Sequence, residues 1–179
     1  MKKSIFKIII IFLLIILIKE LFLNFYYYHN NSVEVSSYYN NDSSFNYKSD
    51  MVINIPKIKL DAVVKKAADN FSNLNKNLVY YKNNNYKKGI VIFGHSGVGY
   101  GTYFNRLDEL SINDIVYLYK DKLKIKYVVS SISYVNDNDL SVIDTNKKEI
   151  LRLITCKKND NKRRLVVELS LKSVQTLKK

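Results

Sequence analysis

The sequence predicts a mainly β protein: a closed or nearly closed β-barrel of seven to eight strands with short helices, preceded by an N-terminal transmembrane helix. Three observations lead to this fold class. The chain opens with an apolar run, continues with a polar stretch, and after residue 51 consists of short apolar or alternating segments separated by turn residues. Hydrophobic residues make up 47% of the chain, which excludes a disordered protein.

The N-terminal segment has the charge pattern of a membrane anchor. Three lysines precede an uncharged apolar run from Ile8 to Ile18, which Lys19 and Glu20 interrupt before it resumes towards the tyrosines at 26–28. A spanning helix takes about 20 residues, so a cleaved signal peptide is the alternative. No small-residue cleavage site follows, however, and tyrosines suit a membrane interface. We therefore expect a single-pass anchor at residues 1–28 in the cell membrane, with a cytoplasmic N-terminus and with the domain that follows on the extracellular side.

The rest of the chain divides into a linker and one domain. Residues 29–50 are polar, rich in Asn and Ser and without helical periodicity, so we expect a linker. Residues 51–179 are expected to form the barrel. The predicted elements of this domain are β segments in MVINIPKIKLDAVVKK, a short helix in DNFSNLNKNLVYYK, a strand in GIVIFGHSG, a helical turn in TYFNRLDELS, a hairpin in DIVYLYKDKLKIKYVVSSISYV, and two last strands in EILRLITC and RRLVVELSLKS.

Each of these assignments depends on a local pattern. The only proline, Pro56, fits a kink or an edge position in the first β segment. The short helix would begin after an Asp or Ser cap. The run IVIF is fully apolar and ends at a glycine-flanked turn, which is typical of a buried strand. The alternation of the hairpin breaks at Lys120–Lys122, and the polar loop KKNDNK joins the last two strands.

The net charge limits the classes of partner. The chain has 29 Lys and Arg residues against 16 Asp and Glu, a formal charge of +13, which favours nucleic acid, anionic lipid or anionic wall polymer. The basic residues form no aromatic and basic platform, and an exported domain does not usually meet DNA, so we expect no nucleic-acid partner. A membrane-tethered, non-catalytic barrel that binds anionic surface polymer is the alternative to an enzyme.

Reactive side chains stand at the ends of predicted strands. His95 follows the strand IVIF, Cys156 closes the strand LRLIT, and Arg163 and Arg164 open the next strand. If the last two strands pair, their loop brings an arginine close to the only cysteine of the chain. A thiol reacts as a thiolate beside a base or a cation, an imidazolium can protonate a leaving amine, and a guanidinium can stabilise an oxyanion.

Each of these residues also has a structural explanation. A single histidine in a glycine-rich turn is more often structural than catalytic, a cysteine in an apolar strand is usually part of the core, and a basic pair after a loop is usually solvated. The combination is more specific than its parts, because histidine, cysteine and arginine occur in that order at strand ends of one β domain.

From Ile53 to Leu169 the chain resembles the sortases, the membrane-anchored cysteine transpeptidases of Gram-positive cell surfaces. The resemblance is carried by INIPKIKLDAVV, GIVIFGHSGVGYGTYFNRLDEL, LITC and RRLVV. The Leu-x-Thr-Cys strand end of the family matches residues 153–156, and its Gly-His dipeptide matches Gly94 and His95. Arg152 stands where the family often has Thr. The stretch that begins GHSGVGYG is somewhat like class B sortases.

The resemblance implies a mechanism and a set of partners. Cys156 would attack the Thr–Gly carbonyl of an LPXTG-like sorting signal, His95 would protonate the departing amine, and Arg164 would stabilise the oxyanion. An amine of a cell-wall precursor or of a pilin subunit would then resolve the thioester. The partners would be surface proteins with C-terminal sorting signals, and neither a metal nor an organic cofactor is required.

The choice between the two arginines depends on strand alternation. Arg163 shares a face with Leu165 and Val167, which is apolar and should point into the barrel. Arg164 shares the other face with Val166. Because a catalytic arginine should face the substrate, we expect Arg164 to carry the role. Arg163 remains the alternative, because a β-bulge would exchange the two faces.

Overall fold

The computed structural model describes residues 2–81, 85–97, 99–144 and 148–177, and in these ranges eight strands close into one barrel. The strands are β1 (Met51–Ile55), β2 (Leu60–Lys66), β3 (Leu78–Tyr81), β4 (Ile90–Phe93), β5 (Ile115–Lys120), β6 (Leu123–Asn136), β7 (Ile150–Lys157) and β8 (Asp160–Thr176). Their order around the barrel is β1-β2-β3-β4-β7-β8-β6-β5, and β5 pairs with β1 to close it. The predicted mainly β barrel with short helices is therefore confirmed.

Two pairs of the described strands are parallel, and one of these pairs, β4–β7, leads to His95 and Cys156. The pairs β2–β3 and β4–β7 are parallel, and the other neighbours run antiparallel. The described connections also contain short 3-10 helices at Pro56–Ile58, Ser72–Asn75, Tyr86–Lys88, Leu107–Glu109 and Leu140–Ile143. Because β4 and β7 are parallel, their carboxyl ends meet at one edge of the barrel.

The barrel interior is filled by side chains that alternate along the strands. On β8, Leu165, Val167 and Leu169 are buried in one large core cluster with residues from every other strand. Val166 points to the opposite face, where it packs in a smaller cluster with Val91 and Ile154. The period of two along each strand therefore separates an interior face from an outer face that carries its own apolar patch.

The short helix predicted in residues 69–82 is only partly present. The polar half forms the 3-10 helix Ser72–Asn75, and the apolar half forms β3, with Lys82 outside the described residues. Leu78 and Val79 are fully buried, so pairing in the barrel overrides the weak helical signal of the sequence.

Both predicted hairpins are present. β5 and β6 meet at a turn where Asp121 has a φ of 53°, within the predicted break at 120–122. In the last hairpin Lys157 pairs with Asp160, so the strands extend into the sequence KKNDNK that we expected to be a loop. The turn is tight because Asn159 adopts a φ of 61°, a conformation that asparagine tolerates better than most residues.

The N-terminal segment is one helix, α1, which extends from Lys2 to Tyr39. Among the described residues no helix is both long and apolar enough to cross a bilayer, so the predicted transmembrane anchor and the single-pass membrane localisation are wrong. The charges of Lys19 and Glu20 interrupt the apolar residues, and the uncharged run from Ile8 to Ile18 is shorter than the roughly 20 residues that a span requires.

The second part of α1 packs on the barrel, and residues 29–39, which belong to the predicted linker, are helical. Val35 and Tyr38 are buried in a cluster with Val52, Val63 and Tyr119. The amide of Asn31 accepts a hydrogen bond from the backbone of Val63 at 3.0 Å and donates one to the carbonyl of Asp61 at 2.9 Å. Glu34 forms an ion pair of 2.9 Å with Lys65. These contacts make residues 31–38 part of the folded domain.

We predict that Tyr38→Ala lowers the free energy of unfolding by about 3–5 kcal/mol, because it removes a buried aromatic ring from this cluster. The control is Tyr28→Ala on the same helix, whose side chain is 75% exposed and whose loss should change stability by less than about 0.5 kcal/mol. Chemical denaturation of both variants provides the measurement. Equal stabilities would contradict the packing of α1 on the barrel.

Candidate active site

Cys156 and Arg164 are direct neighbours across the last two strands. They are opposite each other in the antiparallel pair β7–β8, so their side chains lie on the same face. Ile154 and Val166, which are also opposite each other, belong to that face and pack in the outer apolar cluster. The register therefore places the thiol and the guanidinium together on the outside of the barrel, beside an apolar patch.

The Arg164 side chain is held by the turn between β7 and β8. The Nη1 of Arg164 donates to the backbone carbonyl of Asn161 at 2.7 Å and to the backbone carbonyl of Arg163 at 3.2 Å. Its Nη2 lies 3.9 Å from a carboxylate oxygen of Asp137. These groups lie near the end of the strand and orient a permanently charged guanidinium beside Cys156, with the Asp137 carboxylate in ion-pair range but beyond hydrogen-bond distance.

Arg163 has a different environment. It is opposite Asn136 on β6, its Nη2 donates to the carbonyl of Tyr134 at 3.3 Å, and its guanidinium lies 5.7 Å from the centre of the Tyr134 ring. Strand alternation puts it on the face opposite to that of Arg164. The register shift in this hairpin lies after Cys156 and does not exchange the pairing of Cys156 with Arg164.

His95 follows β4, the strand on the other side of β7. Phe93 is opposite Ile154 in the parallel pair, and the next N–H, that of Gly94, donates to the carbonyl of Ile154 at 3.1 Å. The hydroxyl of Ser96 donates to the carbonyl of Cys156 at 2.7 Å. The residues on both sides of His95 are thus tied to β7, and the alternation of Phe93 and His95 directs the imidazole to the face that carries Cys156.

The imidazole has a partner that sequence analysis did not identify. Its Nε2 lies 3.1 Å from the amide oxygen of Asn75, at the end of the 3-10 helix Ser72–Asn75. Asn75 carries no local signal, because it comes from a polar stretch twenty residues earlier in the chain. Ser96, by contrast, could have been noticed within the GHSG sequence.

Glycines allow the loop around His95 to pack this closely. A Cβ on Gly94 would collide with Leu78 and would come within 2.6 Å of the Phe104 ring. Gly101 has a φ of 74°, and a Cβ there would collide with the backbone carbonyl of Asn75. The glycine-rich sequence after β4 therefore serves close backbone approach, which fixes His95 and its partner Asn75 relative to the barrel.

An open groove leads to Cys156. It has a volume of about 360 Å³, and Ser96, Asn105, Cys156 and the β7–β8 turn line it. A smaller cavity of about 90 Å³ lies beside it and includes Thr155, whose buried hydroxyl has no hydrogen-bond partner among the residues that the structure describes. Within the described part of the chain, no three His, Cys, Asp or Glu side chains are grouped to hold a metal ion. The arrangement offers a solvent-accessible thiol with a cation and an imidazole on one face, which suits nucleophilic catalysis on a carbonyl.

Comparison with known proteins identifies the family of this domain. Residues 53–172 match the family model of the sortase domain. Sortase A of Bacillus anthracis is 29% identical over 117 residues, which cover 64% of this chain and 56% of that protein. The matched region thus spans little more than half the length of this relative.

Solved structures of sortases share the fold. Sortase A of Listeria monocytogenes superimposes with a TM-score of 0.65 at 23% identity, covering 72% of this chain and 90% of that one. A lid mutant of sortase A from Corynebacterium diphtheriae gives a TM-score of 0.60 at 27% identity, covering 69% of each chain. Sortases of types C, D and E are also similar, so these comparisons assign no subclass, and the class B-like features of the loop stay a prediction.

We predict that Gly94→Ala destabilises the domain by about 1–3 kcal/mol, because the added methyl group overpacks the contact with Leu78 and Phe104. The variant should also slow the alkylation of Cys156, since β4 and β7 are hydrogen-bonded at this point. Ser133→Ala, at an exposed position on β6, is the control. A Gly94→Ala protein with unchanged stability would show that this close approach is absent.

Proposed function

The chain belongs to the sortase family, and from this premise we propose that it is a cysteine transpeptidase that cleaves an LPXTG-like sorting signal and transfers the acyl group to an amine. The observation that carries the proposal is the register of β7 and β8, which sets Cys156 opposite Arg164 on the outer face. Residues 51–179 are the proposed catalytic unit. His95, Cys156 and Arg164 are its proposed catalytic residues.

The first half of the proposed reaction forms a thioester. The Cys156 thiolate adds to the carbonyl carbon of the Thr–Gly bond, and the carbonyl oxygen takes the negative charge. The C–N bond then breaks, and the leaving amine takes a proton from His95 in its imidazolium form. The acyl group remains on sulfur, and the Gly-containing fragment departs as an amine.

The second half reverses these roles with a new nucleophile. An amine of a cell-wall precursor or a pilin subunit attacks the thioester carbonyl, His95 accepts a proton from it, and the Cys156 thiolate leaves. The products are a new amide bond and the starting enzyme, so no external oxidant or cofactor takes part. The proposed partners are therefore proteins with a C-terminal sorting signal and an amine acceptor.

Arg164 is the better candidate for stabilising the oxyanion. It shares the face of Cys156. Its Nη1 binds backbone carbonyls, and its Nη2 lies 3.9 Å from the Asp137 carboxylate, which is beyond hydrogen-bond distance, so Nη2 can donate to a ligand. Arg163 lies on the other face with its guanidinium directed to Tyr134. Charge-assisted hydrogen bonds to a developing oxyanion are worth more in the transition state than in the ground state, which is the requirement for catalysis.

We predict that Cys156→Ala abolishes cleavage of an LPXTG-type peptide, because the chain contains no other thiol. Cys156→Ser should be almost as inactive, since a hydroxyl is far less acidic than a thiol. His95→Ala should lower kcat by roughly 10²–10⁴-fold, the usual contribution of general acid catalysis. A fluorogenic peptide assay measures all three. Wild-type turnover by Cys156→Ala would exclude the thioester mechanism. If the wild-type chain bound anionic wall polymer but cleaved no peptide, the non-catalytic alternative would be favoured.

The two arginines provide a matched pair for a second prediction. Arg164→Ala should lower kcat by about 10²–10³-fold through loss of oxyanion stabilisation, and Arg164→Lys should recover only part of it because an ammonium lacks the planar fork. Arg163→Ala should be much milder. The same peptide assay, with thermal unfolding of each variant in parallel, decides the assignment. If Arg163→Ala lost most of its activity while Arg164→Ala remained active, Arg163 would be the arginine that stabilises the oxyanion.

A further inference from the structure

Arg152 is a buried cation on the same strand as Cys156, and the proposed chemistry does not use it. Only 7% of the residue is exposed. It lies on β7, where alternation puts its side chain on the same face as those of Ile154 and Cys156, and it is opposite Glu168 on β8. Its Nε donates to a carboxylate oxygen of Glu168 at 2.9 Å. An arginine buried to this extent is costly unless its charge and its donors are matched by partners.

The other edge of the guanidinium binds the connection between β6 and β7. Its Nη1 donates to the carbonyls of Asp144 at 2.6 Å and Val142 at 3.0 Å, with a longer contact of 3.4 Å to Ser141. These carbonyls lie in the 3-10 helix Leu140–Ile143 and at the residue that follows it, and the Ser141 carbonyl also accepts the N–H of Asp144 at 3.2 Å. Arg152 therefore joins the sheet to this connection through one side chain.

The connection borders the face that carries the candidate catalytic residues. Asp137, at its beginning, lies 3.9 Å from Arg164. Val142 and Ile143 pack on the outer apolar cluster that includes Ile154. A peptide whose carbonyl reaches both Cys156 and Arg164 must lie across this face, so residues 137–144 form a wall beside it.

We propose that Arg152 is a positioning residue for peptide binding, which clamps residues 141–144 to β7 and β8 and so fixes one wall of the substrate site. The inference rests on the proposed function, because it names how that same site holds its peptide. Arginine suits the role because its planar group presents one edge to a carboxylate and another to carbonyls. A threonine at this position could not reach both the Glu168 carboxylate and the carbonyls of residues 142 and 144.

The test compares Arg152→Met with the wild-type full chain in steady-state peptide cleavage. We expect KM to rise on the order of tenfold or more, because a displaced wall no longer orients the peptide, while kcat changes by less than about threefold. The rate of Cys156 alkylation by iodoacetamide, a reagent too small to need the wall, should stay within about twofold of wild type. The matched control is Lys65→Met. It removes a cation on β2 that is paired with Glu34 of α1, and it should leave kcat and KM unchanged.

A conservative variant keeps the inference falsifiable if Arg152→Met does not fold. Arg152→Lys retains one charge for Glu168 but cannot also reach the carbonyls, so its KM should rise in the same direction by a smaller factor. An unchanged KM in either folded variant, or a loss of kcat at constant KM, would overturn the positioning role.

Hydrogen exchange separates this inference from the proposed function. In Arg152→Met, or in Arg152→Lys if only that variant folds, the backbone amides of residues 137–144 should exchange at least about tenfold faster, while the β5–β6 hairpin keeps its protection. If the wild-type chain cleaves no sorting peptide, the proposed function fails, and the exchange measurement still decides whether the clamp exists. Unchanged exchange in residues 137–144 would overturn the clamp even in an active enzyme.

Discussion

The hydrogen-bonded ladder through β4, β7 and β8 is the constraint on which the candidate site depends. The parallel pairing of β4 with β7 and the antiparallel pairing of β7 with β8 fix which residues share a face. A shift of one residue in either register would turn a side chain to the opposite face of the sheet. The backbone pairing of these three strands therefore decides how His95, Cys156 and Arg164 are placed relative to one another.

The surroundings of this ladder hold the same three positions against movement. Ser96 bonds the loop after β4 to the carbonyl of Cys156, and Asn75 holds the ring of His95. On the other flank, Arg152 joins β7 and β8 to the connection after β6. A reactive group on a strand end has little freedom when both neighbouring strands and both flanking loops are attached to it, which favours the preorganised geometry that catalysis requires.

The sequence predicted the parts of this arrangement that depend on local pattern. Alternation along β8 was sufficient to put Arg164 and Arg163 on different faces, and the apolar strand ends marked His95 and Cys156. It could not predict Asn75 or the role of residues 141–144, because those contacts join segments that are distant in the chain and carry no periodic signal. The helical state of residues 29–39 was missed for a related reason. Polar residues 29–39 look like a linker in isolation, and only their packing against Val52, Val63 and Tyr119 shows why they are helical.

In the proposed reaction, Cys156 carries a covalent acyl intermediate on this face. Intact-protein mass spectrometry of the full chain, mixed with an LPXTG-type peptide in the absence of an acceptor amine, tests it most directly. We expect an added mass equal to the acyl portion of the peptide, located on the Cys156 fragment and released by hydroxylamine as the hydroxamate. Peptide cleavage without any adduct at Cys156, or an adduct on another residue, would contradict it.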